Sequence, residues 1–138
     1  MRPWLIGLGA SEEDIDSNCH FIALIGEFPG SDSNGHRPPS KEQVHEFRPT
    51  LIRQLQQIGP ELVVPVGNMA IREVIEEVGS RSLIQVIGQV FTINPFECLE
   101  GPVPVVALPH PSGRSTWPAA HPELTKQALG VLGDYLLL

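Results

Sequence analysis

Apolar residues along this chain follow two periods, and the two mark different elements. Short continuous apolar runs bounded by turn-forming residues read as buried strands: residues 20–25 (HFIALI), 62–66 (LVVPV), 89–93 (QVFTI) and 103–108 (VPVVAL). Recurrence at every third or fourth position reads instead as one face of a helix. Val44, Phe47, Leu51, Leu55 and Ile58 make one such face, opened by an S-x-x-Q capping box at Ser40 and closed at Gly59-Pro60. Pro49 falls inside it and is expected to kink that helix or split it in two. Ala70, Ile71, Val74, Ile75 and Val78 make a second face, entered through Gly67-Asn68 with Asn68 as N-cap and stopped by Gly79. Leu124, Ala128, Val131, Leu132 and Tyr135 make a third, started by Pro122. At the start, Met1 to Leu8 is helical in character, and Ser11-Glu-Glu-Asp14 has the form of a further helix start. Residues 26–39 read as a long turn-rich loop, and 83–101 are the least regular stretch, with a turn at Asn94-Pro95. Strands alternating with helices predict an α/β fold: a three-layer α/β/α sandwich around a small, mostly parallel sheet, with residues 1–138 as a single domain.

Composition narrows the class. The chain has 138 residues, 41% hydrophobic and 18% charged, and a globule of this length buries roughly 68–70% of the surface its unfolded form exposes, so a real core is expected. No apolar run approaches the roughly 18 residues of a membrane span, and the first residues lack the zones of a signal peptide. A cytoplasmic protein with no membrane partner is expected. Two cysteines are too few for a disulfide framework or an all-cysteine cluster; Cys19 and Cys98 are expected as free core thiols, with no cofactor. The five histidines show no H-x-x-x-H or comparable pair, so no metal site is expected. A formal net charge of −7 argues against tight nonspecific binding to nucleic acid, which depends on neutralising phosphates. Any positive patch must be local and small.

The densest chemistry lies in Leu108 to Trp117, LPHPSGRSTW. It begins where the 103–108 run ends, which is where open α/β sheets keep their ligands. Pro109 and Pro111 fix φ on both sides of His110 and narrow its directions. Ser112 offers a hydroxyl, Gly113 permits close backbone approach, and Arg114 adds a positive charge. A stiff loop with an imidazole, a hydroxyl and a cation suits an anionic or developing-anionic ligand. The same residues also suit a proline-rich turn in which His110 only caps a strand, and chemistry alone leaves both readings open.

Three stretches in a fixed order add a resemblance. Phe28-Pro-Gly30 with His36-Arg-Pro-Pro-Ser-Lys-Glu42 and Phe47-Arg-Pro49 comes first, LVVPVGNMA at 62–70 second, and PHPSGRSTW at 109–117 third. In order and spacing, from about residue 20 to the end, the chain resembles the uracil-DNA glycosylase superfamily, closest to the branch related to the iron-sulfur and archaeal-type enzymes. The resemblance implies a hydrolase that flips a deaminated base, uracil, out of single- or double-stranded DNA and cleaves its bond to the sugar in base-excision repair. It implies His110 as the donor that stabilises negative charge developing on the uracil ring. It further implies Ser112 as a contact to DNA phosphate, and Arg114 and Trp117 as residues that grip the backbone or wedge beside the vacated base. Phe28, Pro29, Gly30, Asn68 and Gly113 complete the implied substrate-facing set, although core packing for Phe28 and helix capping for Asn68 are the alternatives.

Gly26-Glu-Phe-Pro-Gly30 admits two alignments with that family. In one it is the family's first motif, and Glu27 positions or activates water. In the other, favoured by the short distance to Leu62 and by the HRPPSKE and FRP that follow, it succeeds the family's second strand. The chain then starts after the first motif, Ala23 stands where several relatives carry a uracil-reading asparagine, and Glu27 replaces a cluster-ligating cysteine. A normally central strand would be missing, and the gap closed by rearrangement or by a second copy in a homodimer. Two functions follow: a working glycosylase that uses His110, and a catalytically degenerate relative that keeps fold and loop as a nucleic-acid-binding or protein-interaction module.

Overall fold

The computed structural model describes residues 1–22, 31–32, 35–36, 40–110 and 116–136. The chain divides into two compact units, residues 1–19 with 60–138, and residues 20–59.

The first unit opens with two short helices, α1 (Arg2–Gly7) and α2 (Glu12–Asn18). The expected box closes at α2: Ser11 Oγ accepts from the Asp14 N–H at 3.1 Å, and Asp14 Oδ2 accepts from the Ser11 N–H at 3.3 Å. Arg2 reaches Glu12 and Asp16 at 2.8 and 2.6 Å, and these exposed pairs fasten the helices while adding little stability. Leu5 and Ile15 supply their share of the core.

Strand β4 (Val103–Val106) is the axis of this unit. On one side it pairs antiparallel with β3 (Val90–Ile93), Phe91 opposite Val105. On the other, residues 63–66 run parallel to it, with Val63 bridging Val105 and Val66 bridging Leu108. The Val63 N–H donates to the Pro104 carbonyl at 3.1 Å, while Val106 and Leu108 donate to the Val63 and Pro65 carbonyls at 3.0 and 3.1 Å. The register is the same at both bridges. What separates them is Pro65, which has no N–H to offer the Val106 carbonyl, so one bond of an otherwise continuous ladder is absent.

The mostly parallel sheet expected from the sequence is therefore, among the described residues, a mixed one. The stretch 94–102 is too short for the crossover that parallel pairing needs, and so β3 and β4 form a hairpin. Asn94 closes its turn, donating to the Leu99 carbonyl and accepting from the Leu99 N–H, both at 2.8 Å. The predicted first strand is not seen where it falls within the described residues: 20–22 have no regular structure and Phe21 is 56% exposed. The remainder of that run, 23–25, lies outside the described residues.

Val105, Val106, Ala107 and Leu108 are all fully buried, as in a strand covered on both faces. Around them pack Ile71 of α4 (Asn68–Val74), Ile75, Val78 of the short 3-10 turn that follows, Val86 of α5 (Leu83–Val86), and Ala128 and Leu132 of α7 (Pro122–Leu136). Between β4 and α7 lies α6 (Trp117–Ala120). Tyr135, expected on the inner stripe of α7, is exposed. Thr125 takes an inward position instead, and its hydroxyl donates to the His121 carbonyl at 2.9 Å, which removes the cost of burying it.

The second unit contains a hairpin of β1 (Ser31–Asp32) and β2 (Gly35–His36) in the stretch expected as loop, and α3 (Lys41–Ile58). The capping box at its head forms: Ser40 Oγ accepts from Gln43 N–H at 3.1 Å and Gln43 Oε1 from Ser40 N–H at 2.8 Å. Gly59, at φ 58° and ψ 56°, ends the helix in the left-handed conformation. Pro49 does not split it. The proline forgoes one bond to the His45 carbonyl, and since both residues are exposed, water can take its place.

Candidate functional site

Parallel pairing sets two strand ends side by side. Val66 lies opposite Leu108, and the Gly67 N–H donates to the Leu108 carbonyl at 2.9 Å. From that last rung the chain departs in two directions, through Gly67 into α4 and through Pro109 to His110. Pro109 is fully buried and His110 is exposed, so a rigid stem holds the imidazole at the boundary between core and solvent.

Gly67 faces that imidazole from the neighbouring strand. Its backbone, at φ 88° and ψ 161°, occupies a region that is essentially restricted to glycine. A β carbon placed there would stand 3.4 Å from His110 Cδ2 and 3.5 Å from His110 Cβ. These are ordinary contact distances, so the His110 side chain faces Gly67 across a gap about one methyl wide. Sequence reading gives Gly67 as the entry to α4; that it also faces His110 depends on a pairing between distant residues and has no local signal.

Asn68 does not cap α4. The N-cap is Gly67, and no side chain caps this end of the helix. Asn68 is the first helical residue, and its Oδ1 accepts from Arg72 Nε at 2.7 Å, one turn along. Arg72 also donates from Nη1 to the Gly79 carbonyl at 2.7 Å and from Nη2 to the Arg81 carbonyl at 2.8 Å. With its oxygen engaged, Asn68 presents only amide donors to solvent. Arg72 was not among the residues singled out by the sequence, although its spacing from Asn68 was legible.

Trp117, expected near the ligand, is half-buried against the core, and its ring lies 4.4 Å from that of His121 at 38°. Glu27, Phe28, Pro29, Gly30, Ser112, Gly113 and Arg114 lie outside the described residues, and with them the choice between the two alignments of the GEFPG segment. The described residues therefore bring together His110, Gly67 and, next in the chain, Asn68. Such a group supplies an exposed imidazole and, from the residue after Gly67, an amide donor, both of which suit hydrogen bonding to a ligand oxygen. Both cysteines are free and half-buried, and burial pushes the Cys98 thiol up from its ordinary pKa. Among the described residues no helix is long and apolar enough to cross a membrane.

The sequence pattern of the uracil DNA glycosylase superfamily matches residues 3–132, and the chain belongs to that superfamily. A comparison with curated proteins gave no match. Membership supports a glycosylase-like function acting on DNA within an α/β fold.

Proposed function

We propose that this protein is a uracil-DNA glycosylase, hydrolysing the N-glycosidic bond of a uracil flipped out of DNA, with His110 as the catalytic donor. The observation that carries the reading is the exposed His110, held on fully buried Pro109 at the end of the buried run Val105 to Leu108 and facing Gly67. Breaking the bond drives negative charge onto the uracil ring, and a donor already aimed at the ring oxygen needs no reorganisation as that charge appears. Removing one such donor costs about 10²–10³ in rate in enzymes that depend on it. Asn68, through its amide, and Ser112 and Arg114, which follow His110 in sequence, are suited to hold the DNA backbone. Glu27 is the candidate for positioning water. Extrusion of the base costs a few kcal/mol and is offset by contacts in the pocket. The reading includes a three-layer sandwich as the complete architecture and the cytoplasm as the compartment.

The net charge of −7 favours a second reading, a relative that keeps the fold and the histidine loop but acts as a binding module. Release of free uracil from labelled single-stranded and duplex oligonucleotides at low salt separates the two. Release by the wild-type chain, lost or slowed in Glu27→Gln, supports hydrolysis with Glu27 managing water. Absence of release by folded protein supports the module.

A further inference from the structure

We infer that Arg72 is a positioning residue for His110, acting through Asn68 and Gly67; the inference rests on the reading of His110 as the catalytic donor. Helix α4 has only seven residues, too few to be stable by itself, and its first turn has no side-chain cap. Arg72 compensates from within. Its guanidinium grips Asn68 at the head of the helix and the Gly79 and Arg81 carbonyls beyond its end, closing the helix and the following turn into one ring. The segment Gly67-Asn68 is consequently held from two sides. Leu108 takes the Gly67 N–H, and Arg72 takes the Asn68 side chain.

That same Gly67 faces the His110 side chain across about one methyl's width and donates to the Leu108 carbonyl two residues before the histidine. A shift of Gly67 therefore changes both the gap beside the ring and the bond that anchors its stem. Three donors are used at once in a planar fork, a geometry that the point charge of a lysine does not reproduce. Arg72→Lys therefore keeps the charge and loses the brace, while Asn68→Ala removes only the link to the head of the helix.

The test uses the full chain carrying isotope-labelled histidine, with the ring signals of His110 assigned by their loss in His110→Ala. Arg72→Lys and Asn68→Ala are each expected to shift the His110 ring signals while those of His20 and His45 stay in place, and free guanidinium ion is expected to return the signals in Arg72→Ala toward their original positions. Unmoved His110 signals in folded Asn68→Ala and Arg72→Lys overturn the inference and leave Arg72 as a brace for the helix alone. If Arg72→Lys does not fold, Asn68→Ala decides. Excision kinetics of Arg72→Lys provide the second readout: kcat is expected to fall about tenfold or more with KM little changed, as for a misplaced catalytic group. A wild-type chain that releases no uracil overturns the glycosylase reading, whereas the ring signals still decide whether Arg72 positions His110.

Discussion

Gly67 and His110 are far apart in sequence, yet they face each other across a gap about one methyl wide: a β carbon added to Gly67 would stand 3.4 Å from His110 Cδ2. The bond from the Gly67 N–H to the Leu108 carbonyl fixes that relationship two residues before the histidine. Geometry at the site is thus a consequence of strand register. Where Val66 pairs with Leu108, Gly67 comes to face the His110 side chain.

Any side chain at position 67 meets the strain of a φ of 88°, and one longer than a methyl also meets the His110 ring. Backbone strain of this kind costs about 1–3 kcal/mol. Gly67→Ala is expected to lower the unfolding free energy in urea by about that amount while keeping the fold. Gly67→Val, whose branches extend into the ring, is expected to reduce excision by more than its loss of stability explains. Equal activity in Gly67→Val and wild type would contradict the placement of the ring.

Pro65 interrupts a ladder whose register is otherwise continuous. In Pro65→Val the new N–H is expected to find the Val106 carbonyl and to exchange with solvent as slowly as the Val106 and Leu108 amides. Fast exchange at position 65 beside slow exchange at 106 and 108 would show that the two bridges are not parts of one strand pair.

Burial pushes the Cys98 thiol up, because desolvation penalises the thiolate. The folded chain therefore holds this proton more tightly than the unfolded one. Stability from that preference is present below the thiol's unfolded pKa, about 8.5, and is lost as pH rises through the higher folded value. The unfolding free energy of Cys98→Ala is accordingly expected to fall less than that of the wild type between pH 8 and 10. A steeper fall in the variant would contradict the direction.

Much of this fold was legible because the signals were local. The boxes at Ser11 and Ser40 and the stop at Gly59 are satisfied within a few residues of chain, and α3 begins and ends as expected, whereas the helix expected to reach Val78 ends at Val74. The antiparallel return of β3 was hidden because apolar runs reveal strands and not their direction; the brevity of 94–102 was the available clue. Pro49 does not split α3, because a bond missing on an exposed helix face can be replaced by water. Asn68 misled because a favoured capping residue one position too late is recruited by Arg72. At the site, the sequence singled out His110 through its prolines and its place after an apolar run. Gly67 as its neighbour and Arg72 as a brace required the pairing of strands and the closure of α4.

The central claim is that His110 stabilises the departing base, and single-turnover release of uracil from a single-stranded oligonucleotide by wild type and His110→Ala tests it most directly. The expected result is measurable release by the wild type and a loss of about 10²–10³ in the variant, with both proteins folded and equally able to bind the oligonucleotide. Equal release by the two, or none by a folded wild type, would contradict it.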